Sequence, residues 1–370
     1  MKKKLFSCFV LVLIFTTACK RDAGKNPLLF YKTLAGRERS VKDAKTFEKK
    51  IIQIRDSLQA AMGKLPSFAG LPAFDLQIKD SLRQQGYTRY SIDFLVAPNE
   101  RLPAYLYIPG PKDNQQKLPA MLALHETDSL GKGSVDGQGH NSNLAYAKEL
   151  AQRGYVVMAP DYPSLGDLKD YDFNNSRYQS GTMKSIFDDM RCVDLLLTRN
   201  DVDPERIGII GHSLGGHSAL FAAAFDIRLK VVVSSCGWTM LDDYNIGKEA
   251  EQLYGGRLGP WAQDRYMPLL KTKYHLDPAK IPFDFDAVIA AIAPRSFFTN
   301  SPLNDANFDV KGVKKGMANI NEVYHLLDVD DHLQFSYPAA EHDFPKEVRL
   351  QAYRFIDQTF HHIPATTFPK

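Results

Sequence analysis

The chain has 370 residues, enough for one large domain or two small ones, with 44% hydrophobic and 24% charged residues, the balance of a soluble globular protein. Its formal net charge is +3. Lys2, Lys3 and Lys4 supply three positive charges and residues 1–18 hold no acid, so the remainder is near neutral, which argues against a nucleic-acid partner or a polybasic membrane patch.

In chain order, residues 1–18 read as a signal peptide: a basic start, an apolar run from Leu5 to Phe15 too short to span a bilayer, then small residues. Thr16-Thr17-Ala18-Cys19 resembles a bacterial lipobox. That resemblance implies lipidation at Cys19 and export to the cell envelope, with the membrane met only through this N-terminal anchor; plain secretion and an uncleaved anchor are the alternatives. Residues 19–45 are expected to be a tether and 46–84 an N-terminal helical extension. Within this stretch Lys42 to Met62 has Phe47, Ile51, Ile54 and Leu58 on one helical face, and Pro66 ends the pattern.

Tyr87 to Val96 alternates as a strand, and Leu102 to Ile108 is its partner across Pro98-Asn99-Glu100. Strands at Leu118–Leu124, Tyr155–Ala159, Ile207–Ile210, Leu229–Ser235, Ser296–Thr299 and Leu333–Tyr337 alternate with helices at Asn143–Arg153, Met183–Leu197, after the serine turn, and Lys346–Phe360. That rhythm predicts an α/β fold: a mostly parallel central sheet flanked by helices, occupying residues 85–362. Residues 237–294 break it. They are irregular and rich in Trp and Tyr, and are expected to form a cap insertion, with Trp238 and Trp261 as walls of a substrate pocket or as ordinary core. Cys192 and Cys236 are expected to be buried free thiols, although a disulfide between them is possible in an exported chain.

The most specific signal is Gly211-His212-Ser213-Leu214-Gly215-Gly216. An apolar strand precedes it and a small-residue helix follows. In that context G-x-S-x-G is a nucleophile elbow: the serine sits on a strained turn, and the glycines let strand and helix approach. The serine needs a base and the base an orienting acid. After the strand near Thr299 comes a turn-rich loop with Asp305, and with Asp309 as competitor. After the strand near Tyr337 comes Ala340-Glu341-His342-Asp343-Phe344, with His342 as base and His332 as its nearest rival. Both loops follow strand ends, where open α/β sheets build their sites. His125, His212, His217 and Asp161 are expected to be structural. The chain has no H-E-x-x-H, no Cys-x-x-Cys, no G-x-x-x-x-G-K-[ST] and no strand-following G-x-G-x-x-G, so no metal and no cofactor are expected.

With these residues the chain resembles the α/β-hydrolase superfamily, in particular its dienelactone-hydrolase and acetylxylan-esterase-like branch. The likeness runs over about residues 85–362 and rests on Leu124-His125-Glu126-Thr127, Ala159-Pro160-Asp161-Tyr162, the serine motif, Ala293-Pro294-Arg295, Asn304-Asp305 and His342-Asp343-Phe344. It implies Ser213 as nucleophile, His342 as general base and acid, Asp305 as the orienting carboxylate, and an oxyanion hole from the backbone N–H groups of Leu214 and Thr127. Glu126 and Glu341 stand where the family often has glycine. The resemblance further implies a serine hydrolase acting on carboxylic esters, with a small-molecule or glycan ester as partner and a carbohydrate-linked ester as the expected substrate. A prolyl-oligopeptidase-type peptidase and a non-catalytic binding protein on the same scaffold are the competing readings.

Overall fold

A computed structural model describes residues 25–110 and 117–365; the expected signal peptide and Cys19 lie outside the described residues. A hairpin of β1 (Phe30–Lys32) and β2 (Glu38–Ser40) comes first, then α1 (Ala44–Met62). There follow β3 (Gln77–Gln84), β4 (Tyr87–Ala97), β5 (Glu100–Pro109), β6 (Leu118–Leu124), α2 (Tyr146–Gln152), β7 (Val156–Pro160), α3 (Gly181–Leu197), β8 (Val202–His212), α4 (Leu214–Phe225) and β9 (Leu229–Ser235). An insertion carries α5 (Lys248–Tyr254), α6 (Leu269–Thr272) and α7 (Phe285–Ala290). The chain then closes with β10 (Ser296–Asn300), α8 (Val310–Leu326), β11 (Leu333–Ser336) and α9 (Lys346–Thr359).

Nine strands form one sheet in the order β11-β10-β9-β8-β6-β7-β5-β4-β3. From β7 to β11 the neighbours are parallel, whereas β3, β4 and β5 join antiparallel at the other edge. The period-2 alternation of the strands splits the core in two. Ala120, Leu122, Ile207, Ile209 and Val232 face α1, α3, α4, α7 and α8. Met121, Ala123, Ile210, Val231 and Val233 face α2 and α9. Buried on both faces, the central strands read as continuous apolar runs.

Helix starts are written locally. Asp43 and Thr46 make a reciprocal capping box at α1, Ser180 caps α3 through the Met183 N–H, and Asp309 caps α8 through the Lys311 N–H. Residues 27–41, expected within a tether, lie against the body instead: Leu28 and Val41 are buried, and Asn26 donates to the Asn319 carbonyl. Residues 77–84, expected to belong to a helical extension, are the edge strand β3. All eight residues are exposed, so no apolar face marks the strand in sequence, and pairing with β4 defines it. The helix α8 was also not expected. No helix among the described residues is long and apolar enough to cross a membrane.

Candidate active site

The sheet delivers Ser213 at the end of β8, in the turn before α4. Its φ of 53° is in the left-handed region, a strained conformation for a residue with a side chain. The turn exists because its neighbours lack a Cβ. A Cβ at Gly211 would stand 2.2 Å from the Gly215 carbonyl carbon, and one at Gly215 would stand 2.0 Å from the Leu124 carbonyl oxygen. The Ser213 N–H donates to the Ser235 carbonyl at 2.8 Å, tying the elbow to β9.

Three side chains distant in sequence converge on this turn. His342 Nε2 lies 2.9 Å from Ser213 Oγ, and His342 Nδ1 lies 2.9 Å from both carboxylate oxygens of Asp305. The Asp305 carboxylate therefore accepts a hydrogen bond from Nδ1–H, which leaves Nε2 free to accept from the serine hydroxyl. The Asp305 side chain is 1% exposed and that of His342 24%, so the carboxylate is sealed while the imidazole is reachable. Burial alone would push the Asp305 carboxyl up. The hydrogen bond and charge of His342, with the Asn307 and Phe308 N–H groups, outweigh it and hold the carboxyl below its ordinary range. Asp309, the competing acid, caps α8 instead. His332 sets its Nδ1 2.6 Å from the Pro294 carbonyl, apart from the Ser213–His342–Asp305 hydrogen bonds.

The base is fixed from behind through Asp343. The Asp343 carboxylate accepts from Asn141 and Asn143, and its carbonyl accepts from Asn300 Nδ2 at 2.9 Å and Cys236 Sγ at 3.3 Å. Asn300 also donates to Ser235 Oγ, which lies 3.0 Å from His212 Nδ1. The His212 ring centre is 4.9 Å from that of His342. Burial, then the neighbouring His342 charge, pushes the His212 imidazole down to about 3, so it stays neutral beside the base. Sequence reasoning did not single out Asn300, Tyr146 or Phe308. Tyr146 bridges the Leu124 carbonyl and the His212 N–H; Phe308 packs its ring 5.9 Å from His342. Each sits in an unremarkable apolar or strand-end context, and only the tertiary contact marks it.

The loop after β6 faces the elbow. The N–H groups of Leu214 and Thr127, the two expected oxyanion donors, take no partner among the described residues. His125 Nε2 accepts from the Tyr162 N–H and its Nδ1 donates to the Glu126 carbonyl, which fixes this loop from inside. Glu126 accepts from Ser134 Oγ, and Glu341 is exposed. Asp161 pairs with buried Lys132. Thr127 Oγ1 lies 3.1 Å from Tyr266 Oη. Tyr266 belongs to the insertion, which is pinned to the start of α3 by the Gly181 and Thr182 N–H groups. Trp261 packs on Tyr266, Tyr244 and Phe308, and its ring stacks 4.2 Å from that of His217. Trp238 takes the alternative role. It is 1% exposed, donates to Thr299 Oγ1 and packs on Gly316 in the core, away from any pocket wall.

Cys192 and Cys236 are buried and unbridged. The grouping of three potential metal ligands found among the described residues is Cys236, Asp305 and His342, whose ligand atoms lie within 4.8 Å of one another. Two of the three already serve the Ser213 chain of hydrogen bonds.

A Bacillus subtilis (strain 168) protein that carries the name hydrolase YtaP is 26% identical over 270 residues, spanning 70% of this chain and 84% of its own length. The 4-O-methyl-glucuronoyl methylesterase of Hypocrea jecorina (strain QM6a) is 26% identical over 53% of this chain and 44% of its own length. Among solved structures, a glucuronoyl esterase from Solibacter usitatus superposes with a TM-score of 0.67 at 19% identity, over 89% of this chain and 96% of that one. The sequence profile of the alpha/beta hydrolase family matches residues 134–354, and the chain belongs to that family.

Proposed function

We propose that this protein is a serine hydrolase that cleaves carboxylic esters through an acyl-enzyme, with carbohydrate-linked esters as its substrates. The observation that carries the reading is the unbroken line from Ser213 Oγ through His342 to Asp305, each link 2.9 Å. His342 Nε2 takes the Ser213 proton as Oγ attacks the ester carbonyl carbon. The N–H groups of Leu214, at the start of α4, and Thr127 receive the oxyanion. The C–O bond to the alcohol breaks, and the leaving oxygen takes the proton from Nε2. Water then gives a proton to Nε2 and attacks the acyl carbon; the C–O bond to Ser213 Oγ breaks, Oγ takes that proton back from Nε2, and the carboxylic acid leaves. Asp305, ionised throughout, stabilises the imidazolium formed in each half.

The ester class is supported by the relatives named for methylesterase and glucuronoyl esterase activity. Phe308 packs against the His342 ring and Trp261 and Tyr266 pack behind it, so the small ring area left exposed by this largely buried cluster would give a sugar face or an aromatic alcohol an apolar contact. Export as a lipoprotein rests on the residues preceding Cys19, and the intact mass of the membrane-fraction protein tests it.

The decisive assay measures p-nitrophenol release from p-nitrophenyl acetate by wild type and Ser213→Ala. The variant should lose at least about 10⁴-fold in kcat and fail to take a fluorophosphonate label. Equal rates in the two proteins would overturn the assignment.

A further inference from the structure

Beneath the oxyanion loop lies a second polar constellation that the ester chemistry does not use. Ser185, Asp188 and Asp189 on α3, Ser218 on α4, and Leu124, His125, Pro160, Asp161 and Tyr162 from the strand ends line a cavity of about 10 Å³, room for one particle the size of a water molecule. All of these residues are buried. Two polar atoms among them have no hydrogen-bond partner: Asp188 Oδ2 and Ser218 Oγ, on residues only 2% and 3% exposed. Orphaned buried oxygens are costly, so a pair lining one small space points to an occupant.

Charge decides what kind. Asp188 Oδ1 is paired with buried Lys184 at 2.5 Å, and Asp161 with Lys132. Among the described residues Asp189 forms no ion pair, and its side chain accepts one hydrogen bond, from Ser185 Oγ at 3.5 Å. Glu100, 3.5 Å from Lys184, adds further negative charge on the outer side. Burial and the neighbouring Asp188 charge push the Asp189 carboxyl well up, so its ionised form needs a compensating positive charge; with Asp189 ionised the lining carries one uncompensated negative charge, its free donors are hydroxyls and its other free groups are oxygen acceptors. A divalent ion would overcompensate by one charge in a low-dielectric interior.

We propose that this cavity binds one small monovalent cation, sodium-sized, through Asp188 Oδ2, the Asp189 carboxylate and the hydroxyl oxygens of Ser185 and Ser218. Ser218 is five residues beyond Ser213 on the same segment, and Leu124 and His125 lead into Thr127, so the ion braces both halves of the oxyanion region. The inference stands independently of the ester reading, because its first readout is stability.

The test exchanges the protein into tetramethylammonium chloride, whose cation is too large for the cavity. Sodium or potassium chloride is then titrated in at fixed ionic strength. Wild-type Tm should rise saturably with sodium, by about 2–4 °C at ten times Kd, and the ²³Na resonance should broaden. Asp189→Asn should abolish the response, and Ser218→Ala should move its midpoint to higher sodium. A wild-type Tm that is the same in sodium and tetramethylammonium would overturn the proposal, the cavity then holding water beside a protonated Asp189. A response unchanged in Asp189→Asn would also overturn it. If that variant does not fold, an unchanged midpoint in Ser218→Ala has the same force.

Discussion

Acidification from pH 7 to pH 5 should cost the fold about 2 kcal/mol through each of two histidines on the elbow segment, His212 and His217. Both are buried, and burial pushes each imidazole from its ordinary 6.5 down to about 3. For His212 the His342 charge adds to the effect; for His217 the Gly237 backbone opposes it in part. In the folded chain both rings stay neutral across this range, whereas in the unfolded chain each takes up a proton below about 6.5. The unfolded state then binds more protons, so stability falls as the pH falls, from near 6.5 downward to near 3. Integrating between pH 7 and pH 5 gives about 1.9 kcal/mol per histidine. The perturbation is His217→Phe, which keeps an aromatic ring against Trp261, stacked 4.2 Å away in the wild type, and removes the titration. Urea unfolding at pH 7, 6 and 5, followed by tryptophan fluorescence, gives each protein's loss over that range. Any fixed packing cost of the larger ring cancels in that difference. The variant should lose about 2 kcal/mol less than wild type. Parallel losses in the two proteins would refute the reasoning, because His217 would then carry its proton in the folded state.

Asp305→Asn should lower kcat by about 10³–10⁴-fold, since the amide cannot stabilise the imidazolium. Asp309→Ala should instead cost about 1 kcal/mol of stability as a lost helix cap and leave kcat within about twofold; steady-state kinetics and urea midpoints on both variants check the pair, and a large kcat loss in Asp309→Ala would reverse the assignment of the acid. Gly215→Ala puts a methyl 2.0 Å from the Leu124 carbonyl oxygen, where backbone meets backbone. It should cost more than about 4 kcal/mol and leave little soluble protein, and a Tm near that of wild type would show that the elbow can open.

The serine elbow was legible because everything that makes it is local: a strand, two glycines and a helix within about a dozen residues. The loops carrying Asp305 and His342 were legible from their places after strands. Which acid serves was not, because Asp305 and Asp309 share one loop and only the register of α8 assigns Asp309 to its cap. That helix was itself hidden by Gly312 and Gly316, residues that weaken a helix by sequence alone. Their reason lies across the fold: a Cβ at Gly316 would stand 2.8 Å from the Trp238 ring, and one at Gly312 would stand 2.1 Å from Thr239 Oγ1. The same notch sends Trp238 into the core, so one long-range contact explains both a hidden helix and a misplaced pocket wall. The strand β3 was hidden for the opposite reason, since it buries nothing and is held by its ladder with β4.

The proposed chemistry needs His342 to gain and lose a proton twice without moving, and the surroundings meet that demand by different means on each side. Toward the acid, Asp305 is held ionised first by the hydrogen bond and charge of His342, and then by two donors that do not depend on the reaction, the N–H groups of Asn307 and Phe308. Toward the elbow, the nearest ring is His212, which stays neutral and so adds no positive charge when His342 becomes an imidazolium. Along the backbone, the residue after His342 is gripped twice, Asp343 accepting at its carbonyl from Asn300 and at its carboxylate from Asn141 and Asn143. Asn300 and Ser235 belong to β10 and β9, interior strands of the sheet, while Asn141 and Asn143 belong to the loop before α2. The base loop is therefore clamped between sheet and loop, and its ring has little freedom except the exchange of a proton with Ser213. A loop residue acquires the precision of a sheet residue in this way, and the proposed chemistry rests on that precision to make the half-buried Ser213 hydroxyl a nucleophile.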